Sequence, residues 1–562
     1  MDYTGPARPG YLWPMPDGPL IVQSDRTLLL EVDHPQADAC RNDIAPFAEL
    51  ERSPEHVHTY RISPLALWNA RSAGFTVDMA VQALSRWSRY PVPPAILIEV
   101  AEVMARFGRL VLDLDPRHGL VLHTEEPAIL EEVCRSKATS AHLGQRIDAN
   151  TCIVHANERG RLKQALLKVG WPAEDRAGHV DGSPYFISMT SPVDGGVTLR
   201  DYQHRSVDAF RAAGDGVIVL PCGAGKTIVG IASMAAVSAQ TLILVTNTVS
   251  ARQWRRDILA ATELTDDEIG EYSGSMKMVK PITIATYQIL ITKRGQLFPH
   301  LDVFSAQDWG LIIYDEVHLL PAPVFRFTAD IQSRRRLGLT ATLIREDGKE
   351  GDVFSLIGPK RYDVPWRELE GQGWIAPASC TEVRVNLTPE QQMEYAVAEP
   401  EERYRIAAST PGKLWVIEKL VARHPDDQVL VIGQFLDQLD AVADRLKAPI
   451  ITGKTPVKER ERLYEAFRTK EIHTLVVSKV ANFSIDLPEA SVAIQISGTF
   501  GSRQEEAQRL GRILRPKKDG RQAHFYTVVT RDTVDGTFAA NRQRFLAEQG
   551  YAYTIIDAAS LS

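Results

Sequence analysis

The chain has 562 residues, 44% of them hydrophobic and 24% charged, with a formal net charge of −7. That composition suits a soluble globular protein of roughly 3–4 domains at ~150 residues each; its mild acidity excludes a surface coated uniformly in nucleic-acid-binding charge, though not a local basic groove. No apolar run reaches the ~18 residues of a membrane span, the N-terminus from Met1 to Pro6 has no signal-peptide pattern, and the five scattered cysteines (Cys40, Cys134, Cys152, Cys222, Cys380) form no CxxC pair, so a reducing cytoplasmic setting without structural zinc is expected.

Residues 1–148 read as a mixed α/β N-terminal domain. Thr27 to Glu31 and Arg109 to Leu114 are strand candidates. Val77 to Tyr90 and Pro94 to Phe107 carry apolar residues three and four positions apart, the amphipathic helix period, and are separated by a Pro91-Val92-Pro93-Pro94 break. Leu84 is expected in the core, with Trp87 packed or partly exposed.

Residues 149–186 form a strand–helix–strand module. A strand from Thr151 to His155 leads to Asn157, a good N-cap, and to a helix ending at Lys168, with Gly170 as its closing residue. Its basic residues, Arg159, Arg161, Lys163 and Lys168, read equally well as a solvated face or a DNA contact. The stretch from Ser188 to Val197 is rich in Ser, Pro, Asp and Gly and reads as a linker.

From residue 195 onward apolar, β-branched strands alternate with helices. Examples are Thr241 to Val245, Ile282 to Ala285, Arg336 to Leu339, Val429 to Ile432 and Val492 to Ile496. Strands of this kind between helices predict parallel sheets covered on both faces. The fold class is therefore α/β, with two tandem parallel-sheet domains at 195–370 and 371–562.

Chemistry enters at two strand ends about ninety residues apart. Val217 to Leu220 runs into Pro221-Cys222-Gly223-Ala224-Gly225-Lys226-Thr227. Gly223 and Gly225 let backbone N–H groups around Ala224 approach phosphates, and the following helix aims its N-terminus at the same place. Lys226 would reach the β and γ phosphates of a bound nucleotide, and Thr227 would ligate Mg²⁺. Leu220 stands where the full GxxxxGK[ST] pattern has its first glycine. A second Gly453-Lys454-Thr455 lacks a nearby glycine and meets Pro456, so it is not a phosphate loop. Leu311 to Tyr314 then runs into Asp315-Glu316-Val317-His318. Asp315 is placed to hold the metal and Glu316 to polarise the attacking water. Cys222 lies near a helix N-terminus, where thiols become more acidic, but a small residue fitting the loop is the preferred reading. Thr340-Ala341-Thr342 follows Leu339, and Gln508 to Arg515 carries Arg512 and Arg515 three apart on one helix face. Those arginines are placed to stabilise the transferring phosphate from the second domain.

In this order the motifs resemble a superfamily 2 helicase with two RecA-like domains, and most closely the XPB family. Leu199 to Gln203 is similar to the adenine-reading Q motif, with Gln203 as reader. Pro221 to Thr227 resembles motif I, Thr246 to Thr248 with Gln253-Trp254 motif Ia, and Asp315 to His318 the DEVH form of motif II. Arg345-Glu346-Asp347, after Thr342, resembles the family's RED element. Val431 to Phe435 is a loose match to motif IV, Ser478 to Val480 with Ile485 to Pro488 resembles motif V, and Gln504 to Arg515 motif VI. Residues 149–186 resemble the family's damage-recognition module, and the short acidic stretch 390–411 lies where it carries a thumb.

The resemblance implies ATP-driven 3′–5′ movement on single-stranded or forked DNA, with Mg²⁺ as cofactor and a role in DNA repair. It implies nucleotide contacts at Asp486 and nucleic-acid contacts at Arg345, Glu346 and Asp347; read from charge alone, Arg345, Lys454 and Lys479 could line a groove for phosphates. Alternatives are a duplex-DNA translocase that does not separate strands, and an ATP-gated scaffold that recruits a nuclease. A monomer is the default expectation.

Overall fold

The computed structural model describes residues 18–561 other than 54–55, 192, 194–195, 222, 296, 333, 342–349, 365–368, 370–371, 373–377, 479–489, 498–521 and 549–552. The expectations for Cys222, Thr342, Arg345, Glu346, Asp347, Lys479, Asp486, Arg512 and Arg515 lie outside the described residues. The chain divides into two units, Met1–Ala105 and Arg106–Ser562.

In the first unit β1 (Leu20–Val22), β2 (Thr27–Glu31), β3 (Glu49–Arg52) and β4 (Val57–Arg61) form an antiparallel sheet in the order β1-β2-β4-β3. The helices Val77–Trp87 and Pro94–Arg106 follow. Thr76 starts the first by accepting the Met79 N–H on its hydroxyl. Leu84 and Trp87 are both buried. The Trp87 indole N–H donates to Asp43 at 2.7 Å, so the ring enters the core without stranding a donor.

The second unit begins with β5 (Leu110–Asp115), β6 (Gly119–His123), β7 (Leu143–Arg146), β8 (Thr151–Val154) and β9 (Ala173–Asp175), in the order β7-β8-β6-β5-β9. The boundary expected between 148 and 149 falls inside this sheet, because β8 pairs with β6 and β9 pairs with β5. Alternating hydrophobicity marks strands but does not say which strand each one pairs with. The module therefore starts near residue 106.

Its helix runs from Arg159 to Lys168. Asn157 is not the N-cap; it lies in a 3₁₀ turn, Ala156–Glu158, and Glu158 precedes the helix. Gly170 closes the helix at φ +81°, with Gly170 N–H donating to the Leu167 carbonyl and Trp171 N–H to that of Leu166. This is the Schellman arrangement that favours glycine.

Two of the four basic residues on that helix turn inward, so that part of its face is neither solvated nor free for DNA. Arg159 and Lys163 are buried and both grip Asp175, at 2.7 and 2.9 Å. Burial opposes the Asp175 charge, but Lys163 and Arg159 outweigh it and hold the carboxyl well below its usual range. Arg161 reaches Asp330 at 2.6 Å and Gln164 reaches Asp352 at 2.7 Å. A Cβ on Gly160 would stand 2.5 Å from the Ala329 carbonyl oxygen, so this glycine permits helix–backbone contact. Only Lys168 of the four basic residues is fully exposed.

The supposed linker begins as a strap. Ser183, Tyr185 and Thr190 donate backbone N–H groups to Asp308, Ser238 and Ala261, and Ser188 accepts from Glu263. Ser and Thr suggest a loop by composition, but here the backbone bonds to the edge of the next domain.

That domain is a parallel sheet of β10 (Asp215–Val219), β11 (Thr241–Val245), β12 (Ile269–Tyr272), β13 (Ile282–Thr286), β14 (Leu311–Asp315), β15 (Arg335–Thr340) and β16 (Lys360–Asp363), ordered β12-β13-β11-β14-β15-β10-β16. Every residue of β10, β11 and β13 is buried, as a sheet covered on both faces requires. At the strand starts, Asp215 pairs with Arg336 at 3.2 Å and with Arg361 at 2.8 Å. His179 approaches the same carboxylate at 4.0 Å.

A second parallel sheet holds β17 (Ala378–Val385), β18 (Val429–Gly433), β19 (Ile450–Ile451), β20 (Thr474–Ser478), β21 (Val492–Gln495), β22 (Ala523–Thr530) and β23 (Tyr553–Asp557), ordered β19-β20-β18-β21-β22-β17-β23. The expected division at 371 lies between β16 of one sheet and β17 of the other. The stretch 390–411 contains two short helices, Pro389–Val397 and Pro400–Ala408. Thr388 caps the first and accepts the Gln391 N–H at 3.3 Å.

Candidate active site

The carboxyl ends of β10, β14 and β15 converge, the place where open parallel sheets bind ligands. Beyond β10 the chain is tied to β15 by Leu220 N–H donating to the Thr340 carbonyl at 2.9 Å. Gly223 and Gly225 then take φ of +83° and +80°, left-handed values that turn the chain into the helix Lys226–Val237. A strand, a left-handed glycine loop and a helix start in this order are the local context a phosphate cradle needs.

The helix Asp201–Ala213 braces the loop. Tyr202 hydroxyl and the Gln203 side-chain N–H both donate to the Ala224 carbonyl, at 2.8 and 3.0 Å. Gln203 also accepts the Arg200 N–H at 2.9 Å. One donor and one acceptor site of the Gln203 amide are thus engaged within the protein. A Cβ at Gly225 would lie 2.5 Å from the Gln203 nitrogen, so the loop glycine is required by its brace as well as by its φ.

Lys226 and Glu316 face each other, Nζ to Oε1, at 3.6 Å. Glu316 itself has φ +49° and ψ 54°, a left-handed conformation in a non-glycine residue. Such backbone costs on the order of 1–3 kcal/mol and is concentrated at functional sites. His318, buried behind it, stands 3.6 Å from Glu316 and hydrogen-bonds Thr340 at 2.7 Å, linking the ends of β14 and β15. Thr227 is partly exposed at the start of its helix.

Asp315 is held on three sides. Its Oδ2 accepts the Trp254 indole N–H at 2.8 Å, its Oδ1 accepts the Glu316 N–H at 3.1 Å, and its backbone carbonyl accepts the Tyr287 hydroxyl at 2.8 Å. Burial, then the neighbouring Glu316 charge, pushes its carboxyl up to about 6. A partly buried carboxylate pushed up in this way, beside a second carboxylate, fits a divalent cation, whose charge relieves the repulsion. Asp315 and Thr227 are the residues that could hold it.

Sequence reasoning did not foresee Tyr202, Tyr287 or the hydrogen bond of Trp254. A mid-helix Gly230 was the available signal for Trp254: a Cβ there would meet its ring at 2.5 Å. Lys454 sits in a turn closed by Thr455 N–H to the Thr452 carbonyl at 3.2 Å. The next helix begins only after Pro456, unlike the phosphate loop.

Comparison with known proteins places the chain in a family. Residues 369–561 match the ERCC3/RAD25/XPB C-terminal helicase family. Residues 196–345 match the type III restriction enzyme res subunit family, and residues 20–148 a helicase conserved C-terminal domain family. The chain is 65% identical over 544 residues to a Kineococcus radiotolerans protein named DNA 3′-5′ helicase XPB, covering 97% of each. It is 63% identical to a Mycobacterium tuberculosis protein of the same name, covering 97% of this chain and 99% of that one. It is 34% identical to the general transcription and DNA repair factor IIH helicase/translocase subunit XPB of Antonospora locustae, covering 96% of this chain and 82% of that one. With the phosphate loop and the Asp315–Glu316 pair converging at the ends of one parallel sheet, and relatives this similar along nearly the whole length, the chain belongs to the XPB family of superfamily 2 helicases.

Proposed function

We infer that this chain is an ATP-hydrolysing DNA helicase that moves 3′–5′ and acts in DNA repair or related DNA transactions. The observation that carries the chemistry is the pairing of Lys226 with Glu316 at 3.6 Å across the mouth of the phosphate loop. The backbone N–H groups around Ala224 and the Lys226 ammonium neutralise the triphosphate. Glu316 orients and deprotonates the attacking water, and His318 ties this carboxylate to Thr340. Thr227 and Asp315 would hold Mg²⁺, which when bound supplies charge neutralisation at the transferring phosphate. Gln203 and Asp486 are proposed nucleotide contacts, and Arg512 and Arg515 the groups that complete the site from the second domain. Arg345, Glu346, Asp347, Lys454 and Lys479 are proposed to meet DNA. We also propose a cytoplasmic monomer that works with a nuclease.

Steady-state ATP hydrolysis with no nucleic acid, single-stranded DNA, duplex DNA or RNA tests this reading, with Lys226→Ala as the blank. Stimulation by DNA and separation of 3′-tailed but not 5′-tailed duplexes are expected. Stimulation by RNA alone would overturn it. The Antonospora relative is named for helicase and translocase activity together. A forked substrate with a bound roadblock separates the two: a translocase clears the block and leaves the strands paired.

A further inference from the structure

We propose that Trp254 is a positioning residue for the metal-holding carboxylate: its indole N–H fixes the orientation of Asp315. The inference rests on the reading of Asp315 as an Mg²⁺ ligand.

Trp254 lies on the helix Thr248–Ala261, whose start is capped by the Asn247 side chain accepting from Val249 and Ser250. Its N–H donates to Asp315 Oδ2 at 2.8 Å, across 61 residues of chain. A buried indole needs some acceptor, and a backbone carbonyl would satisfy it. Here the acceptor is instead the carboxylate at the end of β14, beside the phosphate loop. The bond is charge-assisted, and so about twice as strong as a neutral one.

The geometry leaves the carboxylate little freedom. The Glu316 N–H holds the other oxygen and Tyr287 holds the backbone carbonyl. The bonds from Trp254 and from the Glu316 N–H use two of the roughly four acceptor sites of the carboxylate, which leaves capacity for a cation. Trp254 cannot swing away, because it is 1% exposed and its ring fills the space a side chain at Gly230 would need. Gly230 belongs to the helix that begins with Lys226 and Thr227. One residue thus spaces the phosphate-loop helix from β14 and orients Asp315 between them. Partners that orient metal ligands in this way typically change metal affinity 10–100-fold when removed.

The test separates the N–H from the ring. β-(3-Benzothienyl)alanine placed at position 254 keeps the shape of tryptophan with sulfur in place of N–H, and Trp254→Phe is the simpler companion. Binding of a fluorescent N-methylanthraniloyl ADP is measured on the full chain across a Mg²⁺ titration and in EDTA. The Mg²⁺ midpoint is expected to rise about tenfold in both variants. Affinity in EDTA should match wild type, and saturating Mg²⁺ should restore ATP turnover. An unchanged midpoint in the benzothienyl protein would overturn the proposal. So would an equal loss of affinity in EDTA, which would make Trp254 a spacer only. Asp315→Ala is the control for the underlying reading: a wild-type midpoint there would remove Asp315 as the ligand, and the role of Trp254 with it.

Discussion

The two ends of the first parallel sheet use the same strands for opposite purposes. β10 starts at Asp215 and leads into the phosphate loop; β15 starts at Arg336 and ends at Thr340. At the starting ends, charges are buried and matched: Asp215 with Arg336 and Arg361, and Asp175 with Arg159 and Lys163. At the finishing ends, Lys226 and Glu316 stand 3.6 Å apart, beyond a direct hydrogen bond, and Asp315 is pushed up to about 6. Buried charges matched with opposite charges make a joint, whereas two carboxylates side by side, Asp315 and Glu316, suit a cation. The 106–181 module meets the first RecA-like domain through Arg161 on Asp330, Gln164 on Asp352 and His179 beside Asp215.

Breaking the catalytic end should have the largest effect on activity and the smallest on folding. Glu316→Gln is expected to lower ATP turnover by about 10²–10⁴-fold, the usual range for a lost general base, with little change in the urea midpoint. Wild-type turnover would remove Glu316 from that role. Asp215→Asn attacks the other end and should reverse the pattern. It leaves Arg336 buried without its carboxylate partner, a change that costs about 3–5 kcal/mol. A lowered urea midpoint, with turnover per folded molecule preserved, is the expected result.

Acid sharpens the contrast. Burial, then Arg336, pushes His179 down to about 4 from an ordinary 6.5. Asp215 and Asp175 favour its charge, and Arg159 with Arg336 opposes it. Because the folded value lies below the unfolded one, its contribution is complete above pH 6.5 and is lost as pH falls toward about 4. The loss amounts to about 3 kcal/mol at most. Hydrogen exchange of peptides in 106–181 should accelerate over that window, and less so in His179→Phe. His58 shifts the same way in the first unit, so a global melting curve would mix the two.

Gly160→Ala probes the joint without changing charge. The added Cβ meets the Ala329 backbone, and crowding of this kind costs roughly 1–3 kcal/mol. Faster proteolysis within 106–181, with normal ATP hydrolysis in the absence of DNA, would show a loosened module. The smallest effect is expected at Lys454, exposed in its turn. Lys454→Ala should weaken DNA binding uniformly across sequences and reduce the salt slope by about one. An unchanged slope would take Lys454 off the DNA path.

How much was legible depended on whether the physics was local. Gly223, Gly225, Lys226 and the Asp315–Glu316 pair could be read because a strand, a tight turn and a helix start are set by neighbours in sequence. The same locality made β2 and β11 readable to the residue, Thr27–Glu31 and Thr241–Val245. The module boundary at 148 and the solvent-or-DNA reading of Arg159 and Lys163 failed together. Both depend on partners far along the chain: β5 and β6 for the strands, and Asp175 with the Asp330 and Asp352 region for the helix.

By itself, then, the sequence determined the alternation of strands and helices, the two parallel sheets and which strand ends of the first carry the motif residues. The tertiary structure decided which charges are tools and which are fasteners. A lysine has the same letter whether it faces Glu316 at 3.6 Å or is buried on Asp175 at 2.9 Å. The two side chains are almost equally buried, so it is the carboxylate each one meets that distinguishes them, and that is set by how the segments pack.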